Sequence, residues 1–139
     1  MSPLDRTMLA ERAAAVERHL RRVAQRLPAS AIDFHPESDA SDAVVLHLWQ
    51  TTQIVIDLAT AACVALGLGT PASYPDGFRR LQQAGVLDIP LADRLVRAAG
   101  FRNVVAHAYD SLDMERVHAA ATHGPADLRA LIGRLRDRA

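Results

Sequence analysis

The sequence predicts an all-α protein, an antiparallel bundle of four to five helices in one domain spanning residues 1–139. Three observations carry that expectation. Apolar residues recur at three- and four-residue spacing along most of the chain. No segment has the strict alternation of a strand. Short connectors rich in Pro and Gly divide the apolar stretches, which suits antiparallel neighbours. The 139 residues, half of them hydrophobic, are enough for a single domain with a real core.

The first helix is marked by Leu9, Ala13, Val16, Leu20, Val23 and Leu27 on one side. Glu11, Arg12, Glu17, Arg18, Arg21 and Arg22 fall mostly on the wet side, and Pro28 stops the helix. Residues 28–41 form a connector that offers Ser38, Asp39 or Ser41 as the next N-cap. The second helix is expected from about Asp39 to Leu66, ended by Gly67 with Gly69. It is apolar on one broad face through Val45, Leu48, Ile56 and Ala62, and on part of another through Ile54, Leu58, Ala61 and Ala65. Such a helix is central in its bundle or lies at a subunit interface. A short third helix spans about Gly77 to Ala84, stopped by Gly85. The fourth runs from Leu91 to His107, preceded by Pro90. The fifth runs roughly from Met114 to Arg138, capped by Asp110 or Asp113, unless Gly124-Pro125 breaks it.

Charge narrows the function classes. The 16 basic residues balance 16 acidic ones, so the chain lacks the global basic field of a non-specific DNA binder. All the basic residues are Arg, which reads as the codon bias of a GC-rich genome. Cys63 is alone and set among apolar residues, so it is expected to be buried, with no internal disulfide and no zinc cluster. His19, His35, His47, His118 and His123 form no metal-ligand spacing, and no metal or cofactor is expected. No signal peptide is legible. The longest apolar stretch, residues 54–68, contains Asp57 and is too short for a membrane span, so a cytoplasmic protein is expected.

The chemistry concentrates in Arg102-Asn103-Val104-Val105-Ala106-His107-Ala108-Tyr109. Arg binds phosphate through a planar fork of donors. His takes or gives a proton near neutral pH. Tyr donates a hydrogen bond or carries a modification. Each residue also has an ordinary reading. An Arg at a helix end pairs with a carboxylate such as Asp110 or Asp113, a lone His is structural, and a Tyr packs its ring. On one continuous helix Arg102 and Tyr109 lie near each other, whereas Arg102 and His107 point about 140° apart. Those two converge on one phosphate only if the helix ends there or a second copy supplies its own motif. On the second helix Gln50, Gln53, Asp57 and Thr60 span about 80°, with His47 at the border. The strip is either a solvated face or the wall of a cleft in which Asp57 orients Arg102 or His107.

The arrangement Arg-x4-His-x-Tyr, with Asn after the Arg, resembles the signature of the HEPN ribonucleases in the form found in HepT toxins. The likeness extends to Gln50 through Ala62, Gly67-Leu68-Gly69, Pro71-Ala72-Ser73-Tyr74, Leu81 through Val86, and Leu91 through Asn103, covering roughly residues 4–135. It implies a HEPN-like homodimer with the paired motifs at the interface. It implies a metal-independent endoribonuclease that acts on RNA, with Arg102 and His107 catalytic and Asn103 and Asp57 supporting. It further implies a cognate MntA-like nucleotidyltransferase antitoxin that transfers AMP to Tyr109 as the control point. The main rival is a non-catalytic subunit that binds a nucleotidyltransferase and a nucleotide. Neutral charge fits that rival; the intact Arg, His and Tyr favour the enzyme.

Overall fold

Each of the five α-helices among the described residues begins on a side-chain oxygen that accepts a free amide of its first turn. The computed structural model describes residues 4–139, apart from the side chains of residues 106–108. The helices are α1 (Arg6–Arg26), α2 (Asp39–Ala65), α3 (Tyr74–Gln83), α4 (Ile89–Ala108) and α5 (Met114–Arg136), with short 3-10 turns at Ala31–Asp33 and Tyr109–Ser111. Their caps are Asp5, Ser38, Ser73, Asp88 and Asp113. Each is a residue type whose side chain replaces a missing intrahelical acceptor, an effect of about 1 kcal/mol. At the start of α2 the exchange is reciprocal. Ser41 N–H donates to Ser38 Oγ at 3.1 Å, and Ser38 N–H donates to Ser41 Oγ at 3.0 Å.

Two helices stop on left-handed glycines. Gly67 has φ 73° and Gly85 has φ 78°, values that a side chain disfavours. After α2, the Leu68 amide reaches back to the Cys63 carbonyl at 2.8 Å. After α3, the Val86 amide reaches the Leu81 carbonyl at 2.9 Å.

Two expected helix starts differ from those observed. Helix α3 starts at Tyr74 rather than Gly77, because Ser73 caps it and Pro75 is tolerated in the first turn. Helix α4 starts at Ile89, with Pro90 inside its first turn, because Asp88 is the cap. Helix α5 spans the stretch expected of it, unbroken at Gly124-Pro125. Burial of Ala121 before Pro125 and of Leu128, Leu131 and Leu135 after it holds both halves on one core face.

Helix α2 is central, touching α1, α3, α4 and α5. Its length and two-sided apolar character follow from that position. The larger core gathers Val16, Leu20, Ile56, Phe78, Leu95 and Leu131. A smaller one, around Val23, Phe34, Val45, Leu48, Val105 and Val117, lies at the motif end of α4. Burial of each large side chain contributes about 1.5–3 kcal/mol. Cys63 is buried as expected. Its thiol donates toward the Gly77 carbonyl at 3.5 Å, and burial pushes its pKa up. Among the described residues, no helix is long and apolar enough to cross a membrane.

Candidate functional site

The motif end of α4 lies against the outer side of α2. Val105 faces the smaller core and Phe101 packs against it, which leaves Arg102 half-buried at the core's edge. The Arg102 side chain is fixed from several directions. Its Nε donates to Gln53 Oε1 at 2.8 Å, and its Nη1 to Asn103 Oδ1 at 3.3 Å. Its Cζ lies 5.5 Å from the Trp49 ring centroid and 5.3 Å from that of Tyr74. Each ring face attracts the guanidinium by about 0.5–2 kcal/mol.

The partners of Arg102 are neutral, and this decides what the side chain can do. Among the described residues Arg102 forms no ion pair, and Asp113 is engaged as the cap of α5 and beside Arg116 at 3.7 Å. Asp57 does not touch Arg102. Its Oδ1 accepts from Gln53 Nε2 at 2.9 Å, which turns the amide oxygen of Gln53 toward the guanidinium. The carboxylate therefore orients the acceptor while the cation keeps its charge for another ligand. An arginine held this way is suited to a phosphate oxygen.

Tyr109 meets α2 elsewhere. Its hydroxyl donates to Asp42 Oδ1 at 2.8 Å, in the first turn of α2. That bond, with burial second, raises the phenol pKa above its ordinary value. Asp42 and Gln53 are eleven residues apart, about 16 Å along a helix. Arg102 and Tyr109 thus both reach α2, as their spacing predicts, but at separate levels. Between the levels runs an apolar groove of about 440 Å³, formed by Val45, Leu46, Trp49 and Val105 with Asp42 and Tyr109 at its rim. Leu46 and Val104 are each 50 % exposed. The indole N–H of Trp49 is buried and has no acceptor among the described residues. A buried donor so left costs about 1–3 kcal/mol.

His107, expected as the acid–base group, has its side chain outside the described residues. Gln53, Trp49, Tyr74 and Asp42 were not identified from the sequence as site residues. Gln53 did leave a signal, lying four residues before Asp57 within the polar strip. Asp42 left none, because 67 residues separate it from Tyr109.

Comparison with known proteins follows the same lines. Residues 16–135 match the family described as Ribonuclease HepT-like. The chain is 29% identical over 119 residues to the mRNA nuclease HepT of Shewanella oneidensis, covering 86% of this chain and 89% of that protein. A toxin–antitoxin crystal structure with AMP-PNP superimposes with a TM-score of 0.85 at 25% identity, covering 94% of this chain and 98% of that one. The tri-AMPylated Shewanella oneidensis HEPN toxin, in complex with an MNT antitoxin, gives a TM-score of 0.83 at 26% identity, covering 93% and 96%. The match to the family spans most of the sequence, and the chain belongs to the Ribonuclease HepT-like family.

Proposed function

We propose that this chain is the toxin of a HepT/MntA-type pair, a homodimeric, metal-independent endoribonuclease neutralised by AMP transfer to Tyr109. The observation that carries the reading is Arg102, pinned by a neutral amide and two aromatic faces yet left unneutralised at the head of the motif. Arg102 binds the scissile phosphate and stabilises the charge that builds on its oxygens. His107 takes the proton of the RNA 2′-hydroxyl as that oxygen attacks the adjacent phosphorus. The bond from phosphorus to the 5′-oxygen breaks, leaving a 2′,3′-cyclic phosphate. An imidazolium protonates the departing 5′-oxygen, and in a dimer the second copy of the motif supplies it. Asn103 and the Asp57–Gln53 pair keep the guanidinium in place.

Dimerisation is supported by exposed Leu46 and Val64 on the outer face of α2 and by Val104 on α4. Control through Tyr109 is supported by its exposed side chain at the rim of the groove lined by Trp49, whose ring also lies beside Arg102. A single AMP attached there begins beside Asp42. The Shewanella toxin is tri-AMPylated, and on this chain further units added to the first extend toward Arg102.

The test is expression of the wild type, Arg102→Ala, His107→Ala and the double variant, with RNA cleavage measured on purified protein. Each single variant should relieve growth arrest and abolish cleavage while remaining folded and twice the 15.1 kDa chain mass by light scattering. The double should be little worse than either, because residues acting as a unit are not additive. Cleavage retained in folded His107→Ala would remove the acid–base role. Cleavage abolished by EDTA would remove the metal-free mechanism.

A further inference from the structure

On the opposite flank of α2 from Arg102, the chain's charge is not balanced. From Arg18 to Arg26, α1 carries Arg18, Arg21, Arg22 and Arg26 with no acidic residue, in a protein whose net charge is zero. Among the described residues, none of these four joins an ion pair. Glu17, the nearest acid along α1, pairs instead with Arg129 of α5 at 2.8 Å. Unpaired arginines are common on surfaces, so position is what matters. His19, Arg22 and Arg26 lie within about 60° on α1. Facing them from α2 are Ala43 and His47, four residues apart. Ala43 is small, and a cavity of about 300 Å³ opens between the helices, lined by Arg22, Gln25, Arg26, Ala43 and His47. His47 is held at its wall by a contact of 3.0 Å between its Nδ1 and that of His19.

We propose that this trough between α1 and α2 binds a backbone phosphate of single-stranded RNA, outside the bond being cleaved. The proposal rests on the ribonuclease reading above. Two imidazole nitrogens at this separation would also suit a metal ion, and the surroundings decide between the two. Arg18 and Arg22 beside His19, with Arg22 and Arg26 beside His47, repel positive charge. Together with burial, which is the larger cause, they lower the pKa of both rings. The field that disfavours an imidazolium disfavours a divalent cation and favours an anion. Two guanidinium forks on successive turns, with an imidazole opposite, suit phosphate oxygens. The substrate class follows from the helix shared with the catalytic arginine. His47 lies six residues from Gln53, the residue that holds Arg102, about 9 Å along α2. The two sites lie about 120° apart around α2, so the phosphate that reaches the trough is one several nucleotides from the bond at Arg102, on a strand that passes around the helix.

The test uses full-length protein carrying His107→Ala, so that RNA is bound and not cut. Binding of a fluorescent single-stranded RNA dodecamer is measured by anisotropy across a salt series. Adding Arg22→Gln with Arg26→Gln should weaken binding about tenfold and flatten the salt dependence by the equivalent of one or two phosphate contacts, about 0.7 each in log–log slope. Arg22→Lys with Arg26→Lys should restore most of the affinity. In an otherwise wild-type background, the glutamine pair should leave kcat on a dinucleotide unchanged and raise KM on the longer RNA. Titration with inorganic phosphate should shift the ring resonances of His19 and His47. Affinity and salt slope within twofold of the parent, in a folded glutamine variant, would overturn the trough while leaving the ribonuclease reading intact. A wild-type protein that does not cut RNA and a His107→Ala protein that does not bind it, with the phosphate-induced shifts retained, would overturn the RNA assignment through the failure of the ribonuclease reading.

Discussion

The Tyr109 hydroxyl donates to Asp42 Oδ1 at 2.8 Å, tying the residue that follows α4 to the first turn of α2. This bond joins the two ends of the motif helix's resting place. Arg102 is anchored to α2 at Gln53 and Tyr109 at Asp42, with Trp49, Leu46 and Val105 between them. The phenol is thereby held at the mouth of the groove with its oxygen at a fixed point.

A carboxylate accepting from a phenol stabilises the neutral phenol, so Tyr109 titrates above the ordinary value of 10.0. A folded pKa raised above the unfolded one means the bond's stabilising effect is present through neutral pH and is lost as pH rises through the folded value. Asp42→Asn should bring the Tyr109 titration, followed by ultraviolet difference absorbance, back toward that of a free phenol. An unchanged midpoint would show that the bond is absent in solution. Co-expression with a cognate nucleotidyltransferase should add AMP-sized masses to the peptide bearing Tyr109, and Tyr109→Phe should prevent it. Complete neutralisation without an adduct would identify binding as the control instead.

Gln53 offers a sharper test of how Arg102 works than removal of the arginine itself. Gln53→Ala removes one acceptor and leaves the two aromatic faces, so cleavage should fall about tenfold with the fold unchanged. Gln53→Glu keeps the shape and puts a carboxylate at the guanidinium. It should be the worse of the two, with weaker RNA binding, because the cation is then neutralised before substrate arrives. Equal activity in the two variants would mean that neutrality at this position is unimportant.

The contrast between Gln53 and Asp42 shows where sequence reading ends. Helical periodicity located all five helices, and the strip Gln50, Gln53, Asp57 and Thr60 was legible because neighbours three and four apart share a face. That local rule relates Gln53 to Asp57. It says nothing of Arg102, 49 residues away, or of Tyr74, whose ring lies over the same guanidinium. From sequence, α3 is expected to start at Gly77, beyond the linker of residues 71–74, and α4 at Leu91, after Pro90, whereas Pro75 and Pro90 both sit in the first turn of their helices, where proline is at home. Pro125 was a correct warning by local rules, overridden by the apolar face on both sides of it. Long-range pairing and tertiary override are what periodicity omits.

The glycines separate local cost from local need. Gly124 lies within α5, and a Cβ there would meet nothing within 4 Å. Gly124→Ala should stabilise the protein by about 0.5–1 kcal/mol through backbone entropy alone. Gly67, at φ 73°, should behave oppositely: Gly67→Ala should cost about 1 kcal/mol, because α2 ends there in a left-handed turn. Paired urea melts check both, and the same sign for the two would refute the distinction.

The His19–His47 contact sets a pH dependence whose sign is fixed. Both imidazoles titrate below their ordinary value of 6.5, chiefly through burial, with positive neighbours adding to it. The unfolded chain therefore binds more protons than the folded one just below that pH. Stability is full above 6.5 and falls as pH drops through the window toward the folded values. Glu17 acts in a different range. Its hydrogen bond with Arg129 lowers its pKa below 4.5, so its stabilising effect persists until pH falls under that value. Thermal melts should thus show a first loss of Tm between about pH 7 and pH 5, before the carboxylate region is reached. His47→Gln should remove most of this first loss while leaving the lower-pH loss in place. A variant whose Tm still falls as steeply as the parent's in the upper window would place the titrating group elsewhere in the protein. Phosphate added at pH 6 should raise the parent's Tm more than that of Arg22→Gln/Arg26→Gln, because an anion in the trough offsets the charge that the two imidazoles resist.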